Sequence, residues 1–144
     1  MHDDIRTSDL EAKRHAPLPS ATLSRPRTAT YVYKAAIERV VDGDTLLVVV
    51  DLGFQVLKRQ RVRLAALDCP ELGTVEGRRA AKLVEKVLAG VEFVMIKTEK
   101  IDLYGRYVAH VFFAAGEGDK ERVFADGQYL NQLLVDQGVA RALG

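Results

Sequence analysis

Between positions 59 and 66 the arginines Arg59, Arg61 and Arg63 alternate with the apolar residues Val62, Leu64 and Ala66. A period of two puts consecutive side chains on opposite faces of an extended chain, so this segment reads as a strand with one core face and one cationic face. It belongs to a third strand predicted over residues 55–67, after a first strand carrying Tyr31, Val32, Tyr33, Ile37, Val40 and Val41 and a second over residues 46–52. Asp42-Gly43-Asp44 supplies the turn between the first two strands, and Gly53 the bend before the third. After Pro70 the period changes. Ala80, Leu83, Val84, Val87 and Leu88 fall at helical spacing, with Thr74 placed to cap the start and Gly90 to close the end.

Two further strands are predicted at residues 92–98 and 106–114, joined through Asp102-Leu103-Tyr104-Gly105. The polar stretch 116–122 reads as a hairpin tip, Asp126-Gly127 as a turn, and residues 130–137 as a short helix ended by Gly138. Strands interrupted by one helix and followed by another suggest a mainly β (α+β) fold, a five-stranded barrel with two or three packed helices, because closure leaves few exposed edges. The chain has 144 residues, enough for one domain. Residues 1–30 contain Pro17, Pro19 and Pro26 and no sustained apolar period, so they read as a disordered tail or linker, with helical character near Ser8 to His15, and residues 31–144 as the domain.

Charge and composition narrow the function classes. Lys and Arg total 21 against 20 Asp and Glu, so any polyanion site must be local. A single cysteine, Cys69, excludes an internal disulfide framework and a multi-cysteine zinc site. No apolar run approaches the roughly 20 residues needed to span a bilayer, and the first residues are too polar for a signal peptide. The expectation is a cytoplasmic monomer with no membrane partner.

Four acids are clustered at predicted strand ends: Asp42, Asp44, Asp68 and Glu71. Such carboxylates repel one another and need a cation or arginines to remain ionised together, and a hard divalent ion bound through oxygens meets that need. Taken alone, Asp42-Gly43-Asp44-Thr45 is equally a tight turn, and the arginine row reads first as a solvated outer face. Arg63 leads into Asp68, and Arg106 follows a Tyr-Gly turn, which completes an inventory suited to phosphodiester hydrolysis: a metal, a carboxylate to activate water, and guanidiniums to neutralise growing phosphate charge. His110 reads as a structural strand histidine, Asn131 as a cap or buried hydrogen-bonding residue, and Cys69 lacks the base a nucleophile requires.

Three segments, Asp42-Gly43-Asp44-Thr45-Leu46, Arg63-Leu64-Ala65-Ala66-Leu67-Asp68-Cys69-Pro70-Glu71 and Asp102-Leu103-Tyr104-Gly105-Arg106, resemble the signature segments of the staphylococcal nuclease (thermonuclease) family. The resemblance runs over residues 36–140. It implies a five-stranded OB-fold Greek-key barrel and calcium-dependent cleavage of DNA and RNA, leaving 3′-phosphates, with single-stranded or frayed regions preferred. It further implies Asp44, Asp68 and the Cys69 backbone carbonyl as Ca2+ ligands, with Asp42 supporting the ion from behind them. Glu71 matches the general base, Arg63 and Arg106 the phosphate-binding arginines, and Tyr104 the nucleotide-pocket tyrosine. The chain departs from the founding enzyme in a longer hairpin around Asp51-Leu52-Gly53, in Leu103 where a basic residue stands, in Cys69 for threonine, in an insertion at residues 116–124, and in ending before the C-terminal helix. The alternative is a non-catalytic module of the same barrel that binds nucleic acid or a protein partner. A phosphatase of the Asp-X-Asp-X-Thr kind is disfavoured because Leu46 occupies the threonine position and the chain continues as a strand.

Overall fold

The computed structural model describes residues 21–143. Five strands close a barrel: β1 (Val32–Asp42), β2 (Thr45–Asp51), β3 (Leu57–Leu64), β5 (Val94–Ile101) and β6 (Tyr107–Phe113). Strand β1 is long enough to pair antiparallel with β2 along one half and with β5 along the other, bending at register shifts after Ile37 and Val40. Antiparallel β2–β3 and β5–β6 ladders extend the sheet, and a short parallel pairing of β3 with β6, Val62 to Leu64 against Tyr107 to Ala109, shuts it. The expected mainly β, OB-fold Greek-key barrel is therefore the architecture found, with three helices around it among the described residues.

Alternation along each strand fills the barrel with Leu46, Val48, Val62, Leu64, Val94, Ile96 and Val111, all at most 1% exposed. Burying each such side chain stabilises the fold by about 1.5–3 kcal/mol. Helix α1 (Val75–Leu88) follows β4 (Leu67–Asp68). As predicted, the Thr74 hydroxyl accepts from the Gly77 amide at 2.9 Å, and Gly90 with φ of 79° follows the helix end. It buries Gly77, Ala80, Ala81, Val84 and Leu88.

Strand β6 carries apolar residues at successive positions, His110 excepted, because both faces of its second half are covered. Ala109, Val111 and Phe113 enter the barrel, whereas Phe112 joins an outer cluster with Phe93, Met95, Val123, Phe124 and Tyr129. This second cluster explains where the sequence reading fails. Residues 116–122 are not a hairpin tip: helix α2 (Lys120–Asp126) begins there, its first amides held by Asp119 Oδ1, and delivers Val123 and Phe124 to Phe112. Seven residues are too few to display a helical period. Strand β7 (Gln128–Tyr129), α3 (Leu130–Asp136) and β8 (Arg141–Ala142) complete the chain, with β8 paired to β4.

The third strand is also shorter than predicted, running over Leu57–Leu64. Gly53, Phe54 and Gln55 all have positive φ, which makes them a loop, and Ala66 with φ of 69° reverses the chain, so Ala65 rather than Ala66 is buried. Within the tail segment, residues 1–20 lie outside the described residues. Residues 21–30 form an extended strap across the outer cluster. The Arg25 guanidinium donates to the Phe124 and Gly127 carbonyls and lies 4.8 Å from the Phe112 ring centre. Arg27 donates to the Ala125 carbonyl, and Gln132 bonds to Ala21 and Leu23.

Candidate active site

The tight turn between β1 and β2 places two acids at one rim of the barrel. Asp42 Oδ1 accepts from the Asp44 amide at 3.0 Å, the local bond that Asp favours in turns. Packing also demands the glycine between them. A Cβ on Gly43 would lie 2.8 Å from the Ala80 Cβ and 3.0 Å from the Cys69 sulfur, so α1 and the segment after β4 could not close over the turn. Asp44 is left 7% exposed.

Strand β3 ends beside this turn, because Arg63 pairs with Thr45 and the Leu64 amide donates to the Asp44 carbonyl at 2.8 Å. Of the arginine row, Arg59 is an outer ion pair with Glu38 and Arg61 faces solvent; Arg63 alone turns into the rim. Its two terminal nitrogens divide between Asp44 Oδ2 at 3.0 Å and Asp68 Oδ1 at 2.8 Å. Asp68 is brought there by the reversal at Ala66 and the β4–β8 ladder. The Cys69 amide then donates to Asp44 Oδ2 at 2.9 Å.

Arg106 reaches the same spot from the β5–β6 turn. Asp102 organises that turn: its Oδ1 accepts from the Tyr104 and Arg106 amides, and its Oδ2 takes Arg106 Nε at 2.7 Å. The guanidinium lies 5.2 Å from the Tyr104 ring centre and 3.5 Å from Thr45 Oγ1, which itself donates to Asp44 Oδ1 at 3.3 Å. Neither the role of Asp102 in holding Arg106 nor that of Thr45 in linking the arginines is evident from the sequence. The spacing of four between Asp102 and Arg106 was the available signal. Tyr104 is 81% exposed and Leu103 98% exposed.

Electrostatics follow from this crowding. Burial, then the hydrogen-bonded Asp42 carboxyl, pushes the Asp44 carboxyl up to about 6, a group that additional positive charge would relieve. Burial and then the Asp44 charge push the Cys69 thiol up to about 12, so the sulfur stays neutral and is no nucleophile. Against the opposing push of burial, the amides and guanidinium of the Arg106 turn hold the Asp102 carboxyl below the usual range. His110 is buried between Glu99 Oε2 at 2.6 Å and the Tyr129 hydroxyl at 2.5 Å, away from the rim.

Glu71 stands apart from the contacts linking Asp44, Asp68, Arg63 and Arg106. It is exposed, and its carboxylate has no hydrogen bond or ion pair among the described residues. Its backbone is anchored instead: the carbonyl accepts from the Thr74 amide at 3.0 Å and hydroxyl at 2.7 Å, at the start of α1. A Cβ on Gly77 would lie 1.7 Å from that carbonyl oxygen. Gly77→Ala should therefore displace the Glu71 loop even though alanine favours a helix. The expected cost is about 1–3 kcal/mol, lowering the melting midpoint by roughly 3–10 °C. A melt unchanged or raised relative to the parent would contradict this close approach.

Among the described residues no three His, Cys, Asp or Glu side chains are grouped to hold a metal. The two carboxylates that share Arg63, Asp44 and Asp68, are hard oxygen donors, and Asp44 carries an ionisation penalty that a cation would offset. Oxygen donors of this kind suit a hard divalent ion.

A family model described as "Staphylococcal nuclease homologue" matches residues 61–143, a span that holds Arg63, Asp68, Cys69, Glu71, Tyr104 and Arg106 but not the Asp42–Asp44 turn. The chain is 29% identical over 116 residues to a micrococcal nuclease of Shigella flexneri, across 76% of this chain and 58% of that protein. It is 27% identical over 128 residues to an uncharacterized endonuclease of Escherichia coli, across 89% of this chain and 72% of the relative. No helix among the described residues is long and apolar enough to cross a membrane.

Proposed function

The chain belongs to the family of staphylococcal nuclease homologues, and from that premise we propose that it is a calcium-dependent phosphodiesterase cleaving DNA and RNA with little sequence preference. The observation that carries this reading is the convergence of Arg63 and Arg106, from β3 and the β5–β6 turn, on Asp44 and Thr45 at one rim. Two planar guanidinium forks suit paired contacts to phosphate oxygens and stay charged at any working pH. Asp44, Asp68 and the Cys69 carbonyl would hold the calcium ion, with Asp42 supporting Asp44. Bound there, the ion would polarise a phosphate oxygen and neutralise part of its charge.

The residues of the chain account for the remaining work. Arg63 bridges Asp44 and Asp68 here, and once those carboxylates have another positive partner its fork is available to the scissile phosphate. Arg106, held at Nε by Asp102, presents its terminal nitrogens to the same phosphate. The exposed Glu71 carboxylate takes the proton of the attacking water, and Tyr104 lines the nucleotide beside Arg106. The products are 3′-phosphates and 5′-hydroxyls, and single-stranded or frayed regions are preferred because their backbone bends into the rim.

A calcium titration by calorimetry on the parent chain and on Asp44→Ala, followed by cleavage of single-stranded DNA, tests the proposal. Saturable binding should appear in the parent, vanish in Asp44→Ala, and track cleavage. Intact DNA with calcium and with every other divalent ion tried would end the enzyme reading.

A further inference from the structure

A second feature lies beside the rim and has no part in the chemistry described above. An open cleft of about 370 Å³, within the roughly 300–1,000 Å³ typical of ligand sites, opens at the mouth of the barrel. Tyr31, Tyr33 and Tyr107 line it, with Lys58 and Gln60 beside them over the apolar floor of Val62. None of the three tyrosine rings stacks on another ring among the described residues. Glu99, the acid on the wall, is engaged by His110.

The cleft borders the turn that carries Arg106. Tyr107 directly follows Arg106 and pairs across from Val62. Gln60 Nε2 donates to the Gly105 carbonyl at 3.2 Å and to the Arg61 carbonyl at 2.9 Å, while its Oε1 accepts from Lys58 Nζ at 3.0 Å. Tyr31 is held out at the edge in an unfavourable backbone conformation, with φ of 58° and 66% of its surface exposed. Its neighbours impose that conformation. The Thr98 amide donates to the Tyr31 carbonyl at 3.1 Å, and Lys97 Nζ donates to the Thr28 and Thr30 carbonyls at 2.8 and 2.5 Å. Strain of this kind persists only where surrounding contacts over-determine it, and it concentrates at binding sites.

We propose that this tyrosine-lined cleft is a second substrate subsite, in which unpaired bases of a single-stranded nucleic acid flanking the scissile phosphate stack on Tyr31 and Tyr107. Unpartnered aromatic faces beside a lysine are the combination that holds single strands without sequence preference, the rings taking bases and the cation the backbone. A protein partner would meet the same rings, but the adjoining turn that carries Arg106 and the positive charge of Lys58 favour a polyanion. The inference rests on the nuclease reading for its register, since it locates nucleotides one or more steps from the phosphate held by Arg63 and Arg106.

The test is equilibrium binding of fluorescein-labelled oligothymidylates of different lengths to the full chain, in EDTA and low salt so that no cleavage occurs. In the parent, affinity should rise from a dinucleotide to an octanucleotide. Tyr31→Ala should remove about tenfold or more of the octanucleotide affinity and leave the dinucleotide nearly unchanged, and Tyr31→Phe should retain it. Because the Tyr31 side chain is exposed, its truncation removes little core, and a thermal melt verifies the fold. Tyr107→Ala should act in the same direction. Folded Tyr31→Ala and Tyr107→Ala variants that bind the octanucleotide as the parent does would overturn the subsite. Length-dependent binding through Tyr31 in a chain that cleaves nothing would support the subsite and overturn the nuclease reading.

Discussion

Arg63→Ala is expected to lower cleavage of single-stranded DNA by about 10²–10³-fold in kcat, the usual loss when one preorganised donor to a developing oxyanion is removed. The physical reason is specific to this rim. Arg63 is the guanidinium that touches both Asp44 and Asp68, so it governs their mutual repulsion before substrate arrives and the phosphate charge afterwards. Arg63→Lys should rescue little, because an ammonium is a point charge and cannot span two acceptors with a rigid fork. Steady-state kinetics at saturating calcium, with circular dichroism as the control for folding, decide the matter. A change below about fivefold in a folded variant would remove Arg63 from the reaction.

Asn131→Ala is expected to be the most destabilising of these substitutions, by about 3–5 kcal/mol, with the melting midpoint lowered by roughly 10–15 °C. Asn131 is fully buried in α3. Its Oδ1 accepts from the Val111 amide at 3.0 Å, and its Nδ2 donates to the Ala65 carbonyl at 2.9 Å and the Ala109 carbonyl at 3.3 Å. Ala65 also donates to Ala109, so Asn131 stands at the seam where β3 meets β6 and the barrel closes. Alanine would leave a buried amide and a buried carbonyl unpaired and add a cavity. Asn131→Asp should fail to restore stability, since a carboxylate can accept from Val111 but cannot donate to Ala65. Urea titration measures both variants, and a loss below 1 kcal/mol in Asn131→Ala would contradict the seam role.

These two residues show how unevenly a sequence discloses its own structure. Arg63 stands in a segment whose alternation and acidic ending are local, so its place on a strand leading toward Asp68 is readable from spacing, whereas the reversal at Ala66 that folds Asp68 back beside it is not. The asparagine, read as a cap or a buried hydrogen-bonding residue, is the latter, but nothing near it in sequence names its partners, which lie in β6 and just beyond β3. The sequence presents Asp102 as part of a turn, and only the folded turn shows its carboxylate directing the Arg106 guanidinium across the rim toward Thr45.

Sequence alone determined the strand and helix periods, the Thr74 cap, the Asp-Gly-Asp turn and the family segments, because each depends on residues within a few positions of one another. Tertiary structure alone decided that α2 exists, that Arg25 straps the Phe112 cluster, that Gly43 and Gly77 are required by neighbouring helix and loop atoms, and that Arg63 joins acids from two different segments. Those features depend on close approach between segments distant in the chain, and a linear pattern carries no record of distance through space.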